Sequence, residues 1–517
     1  MQSGWLTVSR KEKAARFFED AIFVALVLIA ASSAISTKGA AGVFRLAVLA
    51  WALGLLSQSL RAKPQPLTAA LLAFLLLTAI STIFSQEPLL SWDRMKTVTL
   101  LGLAVLIGQN LSSLRRVRIL LIVLLAFSLV TVFYTATQYA VGVGVEVVEL
   151  PQNSPGSRAG LLPHDIVQKV NGASVHSPSD WLEAINAQPG GSGLRLTVLR
   201  GSQVTGSPSV RVELRITKEE LAESGLAAKD APLRQSRPIR VEGFFRHYFP
   251  YAEFLASSAV LFFALSFARQ SKLSRILVLL GFVALSATMV LTLTRIVVLS
   301  FVIACVAVTI EVSSKRKWWI IAFVVLAFGL SGAWIASRRN VSLFSSSDPG
   351  TQYRLLMWRD SIQMIRNHPW VGVGLDSVAG HWQRWDLEAY KRFPLKSHFH
   401  STLIQFAVEC GIFTALAWLF LLGNYFVFLR GLLKRLRHDT SWRRGLALGV
   451  YGAFLSSVLI SMVQYNWGDA EVMMVFWFQM GLAIALHRLT ATDLVQEPEK
   501  IADPLQQSAT GPKAVLG

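Results

Sequence analysis

The chain has 517 residues, of which 53% are hydrophobic and only 16% are charged, and its mean hydropathy is +0.47. Soluble domains carry about 25% charged residues, so this composition excludes an ordinary soluble protein and indicates that most of the chain lies in lipid. The formal net charge of +19 would suggest a nucleic-acid partner in a soluble protein. Here the basic residues cluster in alternate connections between apolar runs, which membrane topology explains, so we expect no nucleic-acid binding.

Apolar runs long enough to cross a bilayer, about 17–25 residues each, recur along the chain. They predict an all-α polytopic membrane protein with about twelve transmembrane helices. The predicted spans lie near 19–36, 43–60, 67–85, 97–110, 117–139, 252–269, 274–293, 296–312, 318–336, 402–429, 446–464 and 470–488. The run at 97–110 is short, and we expect it to be tilted or partly re-entrant. Cys305 and Cys410 lie in or beside predicted spans, so no disulfide framework is expected.

Lys and Arg residues accumulate in every second connection, as the positive-inside rule describes. Both termini are then cytoplasmic, and the connections 140–251, 338–401 and 465–469 lie on the outer, periplasmic side. The predicted domains are membrane helices at 1–140 (about five), a folded module at 141–220, a linker at 221–250, membrane helices at 251–337, an outer loop at 338–401, membrane helices at 402–488 and a cytoplasmic tail at 489–517. The tail is polar and is predicted to be disordered.

The first long interruption of the helices predicts a small α/β module. In order, its pattern is a valine-rich strand at Val143–Leu150, a turn at Asn153–Leu161, a strand and turn at Asp165–Gly172, a helix at Pro178–Ala187 and a strand at Leu194–Arg200. These motifs resemble a PDZ domain of the bacterial protease-associated type. Such domains add a peptide as a strand to a sheet edge and hold its terminal carboxylate with backbone amides.

The resemblance implies that the carboxylate loop consists of Gly142, Val143, Gly144 and Val145. The predicted fifth span runs almost directly into this loop, so the usual first strand is missing or supplied from elsewhere in the chain. A packing module without a peptide ligand is the alternative interpretation.

The second interruption, 338–401, carries the residues best suited to chemistry. Arg354–Arg366 has helical spacing, with Leu355, Trp358, Ile362 and Ile365 on one predicted apolar face. Pro369 is predicted to end this helix. Gly372 and Gly374 then permit a tight turn.

Three motifs resemble those of the O-antigen ligase and polymerase superfamily, the Wzy_C proteins of bacterial surface-glycan assembly. They are Arg354-Leu-Leu-Met-Trp358 in the loop helix, His368-Pro-Trp-Val-Gly-Val-Gly374 in the turn, and His400-Ser401 followed at the family's spacing by Gly411 and Thr414. The resemblance implies a glycosyltransferase of the bacterial inner membrane with a GT-C-like arrangement of helices. It would move a glycan from an undecaprenyl-diphosphate carrier to an acceptor hydroxyl on lipid A–core or on a growing polysaccharide, without a metal or other cofactor.

The residue types match the chemistry that the resemblance implies. A diphosphate leaving group needs its charge neutralised, and Arg binds phosphate oxygens bidentately without titrating, so we assign Arg354 and Arg295 to the diphosphate. His400 is the predicted general base for the acceptor hydroxyl, because the unperturbed pKa of histidine is about 6.5. Five further residues are assigned to substrate binding: Arg359, His398, Trp358, Gly372 and Gly374.

Structural roles are the alternatives to these assignments. Arg295 could reach lipid headgroups, His400 could cap a helix, and Arg354 could form a salt bridge. Neither His368 nor His381 has the neighbouring carboxylate and histidine spacing of a zinc site, so we expect no catalytic metal.

Several functions remain open on the sequence alone. The same residues suit a ligase, a polymerase that extends one lipid-linked repeat with another, or an enzyme that transfers glycans to protein hydroxyls. A PDZ-bearing scaffold without activity is the non-enzymatic alternative. A transporter is disfavoured because the predicted spans are largely free of acidic residues. A peptide or protein ligand of the PDZ-like module is the further partner that we expect.

Overall fold

The structure is a computed structural model, and it describes residues 10–189, 191–200, 210–237, 240–245, 247–312, 315–339, 349–393 and 398–508. All of the candidate site residues lie within these ranges. Two parts of the predicted outer loop, 340–348 and 394–397, lie outside the described residues, as does the end of the predicted tail at 509–517.

Six helices precede the α/β module. They are α1 (Arg10–Ser32), α2 (Thr37–Leu56), α3 (Thr68–Ile83), α4 (Pro88–Val98), α5 (Gly102–Asn110) and α6 (Leu114–Val141). A single turn of 3-10 helix at Thr99–Leu101 joins α4 to α5, so the segment predicted as a short, tilted span belongs to an interrupted helix. α6 begins where the Ser113 hydroxyl accepts the N–H of Arg116 at 3.3 Å, which satisfies one of the free donors of the first turn.

The module between α6 and the next membrane helix contains a six-stranded antiparallel sheet and three short helices. Its elements are β1 (Gly144–Val147), α7 (Pro155–Arg158), β2 (Ile166–Val170), β3 (Ala173–Ser174), α8 (Pro178–Asn186), β4 (Gly193–Arg200), β5 (Val210–Thr217), α9 (Lys218–Glu223) and β6 (Leu233–Ser236). The strand order is β5-β4-β2-β1-β6, and β3 pairs with β2. The predicted helix and strands are present. β5 and β6 were not predicted, and β6 lies within the segment predicted to be a linker.

Eleven helices follow among the described residues. They are α10 (Tyr248–Ser266), α11 (Lys272–Leu291), α12 (Arg295–Glu311), α13 (Lys317–Arg339), α14 (Pro349–Asn367), α15 (Ser377–Gly380), α16 (Glu388–Arg392), α17 (Thr402–Glu409), α18 (Ile412–Arg435), α19 (Trp442–Ser461) and α20 (Ala470–Ser508). α20 continues to Ser508, into the segment predicted as a disordered tail, and the disorder of 489–517 stays a prediction.

The prediction of twelve spans is not confirmed. Within the described ranges, eight helices are long and apolar enough to cross a membrane: α2, α6, α10, α11, α13, α18, α19 and α20. The other predicted spans fall on α1, which begins with charged residues, on the shorter helices α3 and α12, and on the interrupted α4–α5 pair. The predicted span at 402–429 is also interrupted, because α17 ends at Glu409 and α18 begins at Ile412.

α10 lies at the centre of the helix bundle and contacts α11, α12, α19 and α20. Hydroxyl pairs tie neighbouring helices together. Ser128 contacts Ser258 at 3.0 Å, and Ser300 contacts Ser456 at 3.1 Å. Small polar contacts of this kind hold helices together where lipid provides no hydrophobic driving force between them. The PDZ-like module and the 349–401 segment connect helices at the same end of the bundle, which we call the loop end.

The predicted apolar face of α14 is not the side that packs into the protein. The residues that pack there are Tyr353, Met357, Ser361 and Met364, whereas Leu355 and Ile362 of the predicted face are more than half exposed. A helix at a membrane interface carries apolar residues on more than one side, so its hydrophobic period alone does not identify the side that meets the protein.

Candidate functional site

His400 lies at the loop end, immediately before α17, with its ring beside Gln464 from the segment between α19 and α20. Nδ1 of His400 is 2.8 Å from Oε1 of Gln464. A carbonyl oxygen can only accept, so Nδ1 carries the proton and donates it to Gln464, which leaves a lone pair on Nε2. Tyr353 of α14 contacts the same ring edge-to-face at a centroid distance of 5.6 Å. His400 is thereby held as a neutral imidazole with one basic nitrogen.

Charge and burial keep this imidazole neutral. Burial first, and then the positive charge of Arg354, lower the pKa of His400 to about 4, while the hydrogen bond that His400 donates to Gln464 acts in the opposite direction. The same two factors and the neighbouring His400 hold the pKa of His398 well below its usual value. The structure therefore brings together three residues that the sequence analysis selected: Arg354, His398 and His400.

The backbone of the histidine segment is held in an unusual conformation. His400 has φ +51°, in the left-handed region that non-glycine residues seldom occupy. Its N–H donates to Nδ1 of His398 at 3.1 Å, so His398 carries its proton on Nε2. The 3.4 Å contact between that nitrogen and Nε2 of Gln464 joins two donors and adds no hydrogen bond. His398 thus supports the position of His400.

α14 positions the same segment from the other side. Nε1 of Trp358 donates to the carbonyl oxygen of Phe399 at 2.8 Å, and the N–H of Phe399 donates to Oε1 of Gln405 at 2.9 Å. Trp358, assigned to substrate binding from the sequence, therefore anchors the backbone between the two histidines. Arg359, its neighbour, is exposed on α14.

The motif glycines lie at a close junction between the turn after α14 and the break between α17 and α18. The N–H of Gly374 donates to the carbonyl of Glu409 at 2.7 Å, and the N–H of Ile412 donates to that of Pro369 at 2.8 Å. A Cβ on Gly372 would lie 2.4 Å from the carbonyl oxygen of Glu409, and one on Gly411 would lie 2.1 Å from that of Trp370. We call this contact between 369–375 and 408–412 the glycine junction.

The spacing from His400 to Gly411 and Thr414 has its physical basis in this junction. α17 carries the histidine segment at its start and the junction at its end, and Oγ1 of Thr414 donates to the carbonyl of Cys410 at 2.9 Å. Close packing explains why glycine occupies positions 372 and 374. A Cβ on Gly372 would meet the Glu409 backbone, and a Cβ on Gly374 would meet the Ser85 hydroxyl. Their assignment to substrate binding remains a prediction.

The segment after α19 supplies residues that the sequence analysis missed. Thr402 donates to the backbone of Gln464 at 3.1 Å, and Nδ2 of Asn466 donates to Oε2 of Glu253 in α10 at 2.7 Å. Ser461 donates to Oδ1 of Asn466 at 2.8 Å. This chain of hydrogen bonds connects the histidine segment to the central helix. A cluster of polar residues in a short connection between two long apolar runs is the signal that could have identified Gln464 and Asn466.

A cavity of about 220 Å³ opens beside His398. Its wall includes Arg94 of α4, Asp376, Tyr465, Trp467 and Asp469. Arg94 and Asp376 form a salt bridge of 2.6 Å, and burial raises the pKa of Asp469 to about 7. Arg94 was also missed. It lies three residues before the short apolar run at 97–110, among the charged residues Asp93 and Lys96.

Arg295 is the first residue of α12 and is half-buried at the loop end of the bundle. It follows Thr292 and Thr294, whose buried hydroxyls contact each other at 2.9 Å. In the same turn, the carbonyl of Leu291 accepts a hydrogen bond from the N–H of Val241 at 3.4 Å. The topology therefore places Arg295 at the same end of the bundle as Arg354 and His400. Its role on a diphosphate remains a prediction.

The predicted carboxylate loop of the PDZ-like module connects α6 to β1. Gly142 ends α6 with φ +90°, and Gly144 and Val145 begin β1. The N–H of Val143 donates to the carbonyl of Ser236 at 2.9 Å. The loop is thus engaged by the end of β6.

Comparison with known proteins finds two families that match separate regions of the chain. The family described as O-antigen ligase, Wzy_C, matches residues 280–419, and the PDZ domain family matches residues 105–208. The ligase match covers α12 to α17 with Arg295, Arg354 and His400, whereas Arg94 and Gln464 lie outside it. The PDZ match begins within α5 and ends before β5 and β6.

Two curated relatives are similar to separate parts of the chain. A Rickettsia conorii protein provisionally named a polysaccharide ligase is 24% identical over 164 residues, which are 31% of this chain and 36% of that protein. The magnetosome formation protease MamE of Magnetospirillum gryphiswaldense is 38% identical over 64 residues, 12% of this chain and 8% of that protein. The chain thus spans about a third of the first relative's length and less than a tenth of the second's.

The matched regions agree with the geometry described above. The ligase match contains the loop helix, the glycine junction and the histidine segment, and the PDZ match contains β1 to β4 and α8. The chain is therefore a multi-pass membrane protein that carries an O-antigen ligase domain of the Wzy_C family at 280–419 and a PDZ domain within 105–208.

Proposed function

We propose that this protein is a glycosyltransferase of the bacterial inner membrane, of the O-antigen ligase type. It transfers a glycan from an undecaprenyl-diphosphate carrier to a hydroxyl of lipid A–core at the periplasmic face, with both termini in the cytoplasm. The observation that carries the proposal is the neutral His400, held by Gln464 and lying within the electrostatic reach of Arg354, inside a region that matches the ligase family.

The proposed reaction forms a bond between the acceptor oxygen and the anomeric carbon of the donor glycan. The bond from that carbon to the diphosphate oxygen breaks, and its electron pair leaves with the diphosphate. Nε2 of His400 takes the proton of the acceptor hydroxyl, as the hydrogen bond through Nδ1 leaves Nε2 free to do. Attack from the face opposite the diphosphate inverts the anomeric configuration.

Arg354 and Arg295 neutralise the diphosphate in this proposal. Guanidinium groups stabilise the charge that develops on the leaving group, so the proposal includes no metal. A bound diphosphate also offsets the positive charge of Arg354, which is one of the two causes that lower the pKa of His400. The base is therefore stronger in the complex with the donor than in the free protein.

The test is complementation of a deletion strain of the host with His400→Ala, with surface glycans and lipid-linked intermediates separated on gels. Removing a general base lowers the rate about 10²–10⁴-fold, so we expect bare core and long glycans that remain on the lipid carrier. His438→Ala is the control, because His438 is exposed near the cavity at the opposite end of the bundle.

The accumulated species separate the alternatives. Single repeats on core in the His400→Ala strain would identify a polymerase, and an unchanged lipopolysaccharide together with loss of protein-linked glycan would identify transfer to protein. Full complementation by His400→Ala, with the protein present in membranes at the normal amount, would show that His400 is not the base.

A further inference from the structure

β6 occupies the edge of the PDZ sheet to which such domains add a peptide. It pairs antiparallel with β1, with Gly144 opposite Ser236, Glu146 opposite Arg234 and Val147 opposite Leu233. α8 lies against β6 on its other side. A four-residue strand between the first strand and this helix takes the position of a bound peptide in recognition by strand addition.

The end of β6 meets the predicted carboxylate loop. The carbonyl of Ser236 accepts the N–H of Val143 at 2.9 Å, and Nε2 of Gln235 donates to the carbonyl of Val141 at 2.7 Å. The Ser236 side chain is buried. A backbone carbonyl of the chain itself therefore accepts the loop N–H that a peptide carboxylate would otherwise contact.

The side chains of β6 define a chemical pattern. Leu233 packs against the apolar core of the module. Arg234 pairs with Glu146 of β1 at 2.7 Å, and 67% of the Arg234 side chain is exposed, against 14% of that of Glu146, which His164 also contacts at 3.0 Å. An apolar residue followed by a basic residue is thus the sequence that this edge accommodates. Surface ion pairs contribute about 1 kcal/mol or less, so the strand is held by contacts that another peptide can reproduce.

We propose that β6 is an internal ligand of the PDZ domain, and that a partner protein docks by replacing it with an extended segment in which a basic residue faces Glu146. This inference rests on the sheet topology and does not depend on the proposed transferase activity. The tethered strand acts at an effective concentration in the millimolar range, as estimated for short linkers. β6 closes the groove in most copies of the unaltered protein. The apparent affinity for a free peptide is therefore the affinity of the open groove multiplied by the fraction of domains in which the groove is open.

The test uses the full-length protein in detergent and a fluorescent hexapeptide with the sequence of residues 231–236, Ala-Pro-Leu-Arg-Gln-Ser. Arg234→Glu places a carboxylate opposite Glu146 and weakens the internal strand while leaving the groove unchanged. We expect this variant to bind the peptide at least about 10-fold more tightly than the unaltered protein, as measured by fluorescence anisotropy.

Lys229→Glu is the matched control. It makes the same change of charge on an exposed residue of the preceding turn, where the N–H of Ala231 donates to the carbonyl of Ala228. We expect it to bind the peptide as the unaltered protein does. Equal affinities in all three proteins, or binding in none of them, would overturn the proposal.

A second peptide tests the role of Glu146. Replacing its Arg by Glu should weaken binding to the Arg234→Glu protein at least about 10-fold, because two carboxylates would then face each other across the strands. Equal binding of the two peptides would contradict a basic residue as the recognised feature.

A disulfide distinguishes displacement of β6 from binding elsewhere. Val147 and Leu233 lie directly opposite each other in β1 and β6, and the native Cys305 and Cys410 are buried. In the Arg234→Glu protein carrying Val147→Cys and Leu233→Cys, oxidation should abolish peptide binding and reduction should restore it. Binding that persists in the oxidised, cross-linked protein would show that the peptide does not replace β6.

Discussion

The glycine junction and the PDZ groove both join two backbone segments edge to edge, yet they differ in what surrounds the contact. At the junction, Gly372 and Gly411 lie so close to the opposite backbone that a single added carbon would collide with it. At the groove, β6 pairs its exposed Arg234 with Glu146 and lies along the sheet edge. We expect the backbone pairing at the junction to be permanent, because no atom can be added there, and the pairing of β6 to be replaceable, because that strand is short and partly exposed.

The largest expected effect is at the glycine junction. Gly411→Ala would place Cβ 2.1 Å from the carbonyl oxygen of Trp370 at a residue with φ +83°. Overpacking and a disfavoured backbone together cost about 3 kcal/mol or more, so we expect the variant to lose most of its folded, detergent-stable protein in size-exclusion thermal melts.

Gly423→Ala is the control for this variant, because the Cβ would meet nothing within 4 Å in the middle of α18. We expect its melting temperature to be close to that of the unaltered protein. Equal melting of Gly411→Ala and Gly423→Ala would show that the junction can yield, and the contrast with the PDZ groove would disappear.

The next largest effect concerns the residue that positions His400. Gln464→Leu removes the acceptor of the Nδ1 proton, and an unsatisfied buried donor costs about 1–3 kcal/mol. We expect kcat/KM for transfer in proteoliposomes to fall about 10–100-fold, with protein stability largely retained. Gln479→Leu is the matched control, since Gln479 donates to Ser257 in the membrane bundle. Equal losses in both variants would remove the specific role of Gln464.

A smaller effect is a shift of the pH profile. The pKa of His400 is about 4, and the base acts when unprotonated, so the acidic limb of kcat/KM should lie near pH 4 and not near 6.5. Gln464→Glu places a carboxylate beside Nδ1–H, which stabilises the imidazolium and raises this pKa. We expect the limb to move to higher pH, so that activity at pH 5 falls relative to activity at pH 7.5. A limb that stays in place or moves to lower pH would contradict the assignment of His400 as the titrating base.

The smallest expected effect is in the PDZ groove. Arg234→Ala removes a surface ion pair, and the free energy of unfolding should fall by about 1 kcal/mol or less, measured by thermal unfolding beside Lys229→Ala. A loss above about 2 kcal/mol, outside the range of a surface pair, would make β6 a permanent part of the fold. The groove would then resemble the glycine junction.

The membrane character of the chain and the elements β1, β2, α8 and β4 of the module could be predicted because their signals are local. Apolar runs and the valine-rich strand at Val143–Leu150 each depend on neighbouring residues. The number of helices able to cross a membrane was harder to predict from the sequence. An interrupted helix such as α4–α5 and a short one such as α12 have the composition of spans without their length.

The candidate site could be predicted only in part. Arg354 and His400 lie in one segment of the sequence and belong to recognisable motifs. Gln464 follows α18 and α19 in the sequence, and only the fold brings it to His400. The residues around His400 in the sequence do not indicate which distant side-chain amide contacts its ring. β6 was missed for the same reason, since four polar and apolar residues after a proline have no strand pattern until β1 lies beside them.

Among the described residues that the sequence analysis assigned to the site, His400 is the one other than glycine that has a left-handed backbone conformation. Such a conformation costs about 1–3 kcal/mol, and glycine would adopt it without that cost. The chain therefore keeps at this position a side chain that its backbone disfavours. Selection for thermal stability alone would be expected to replace His400, and selection for glycan transfer would be expected to restore it.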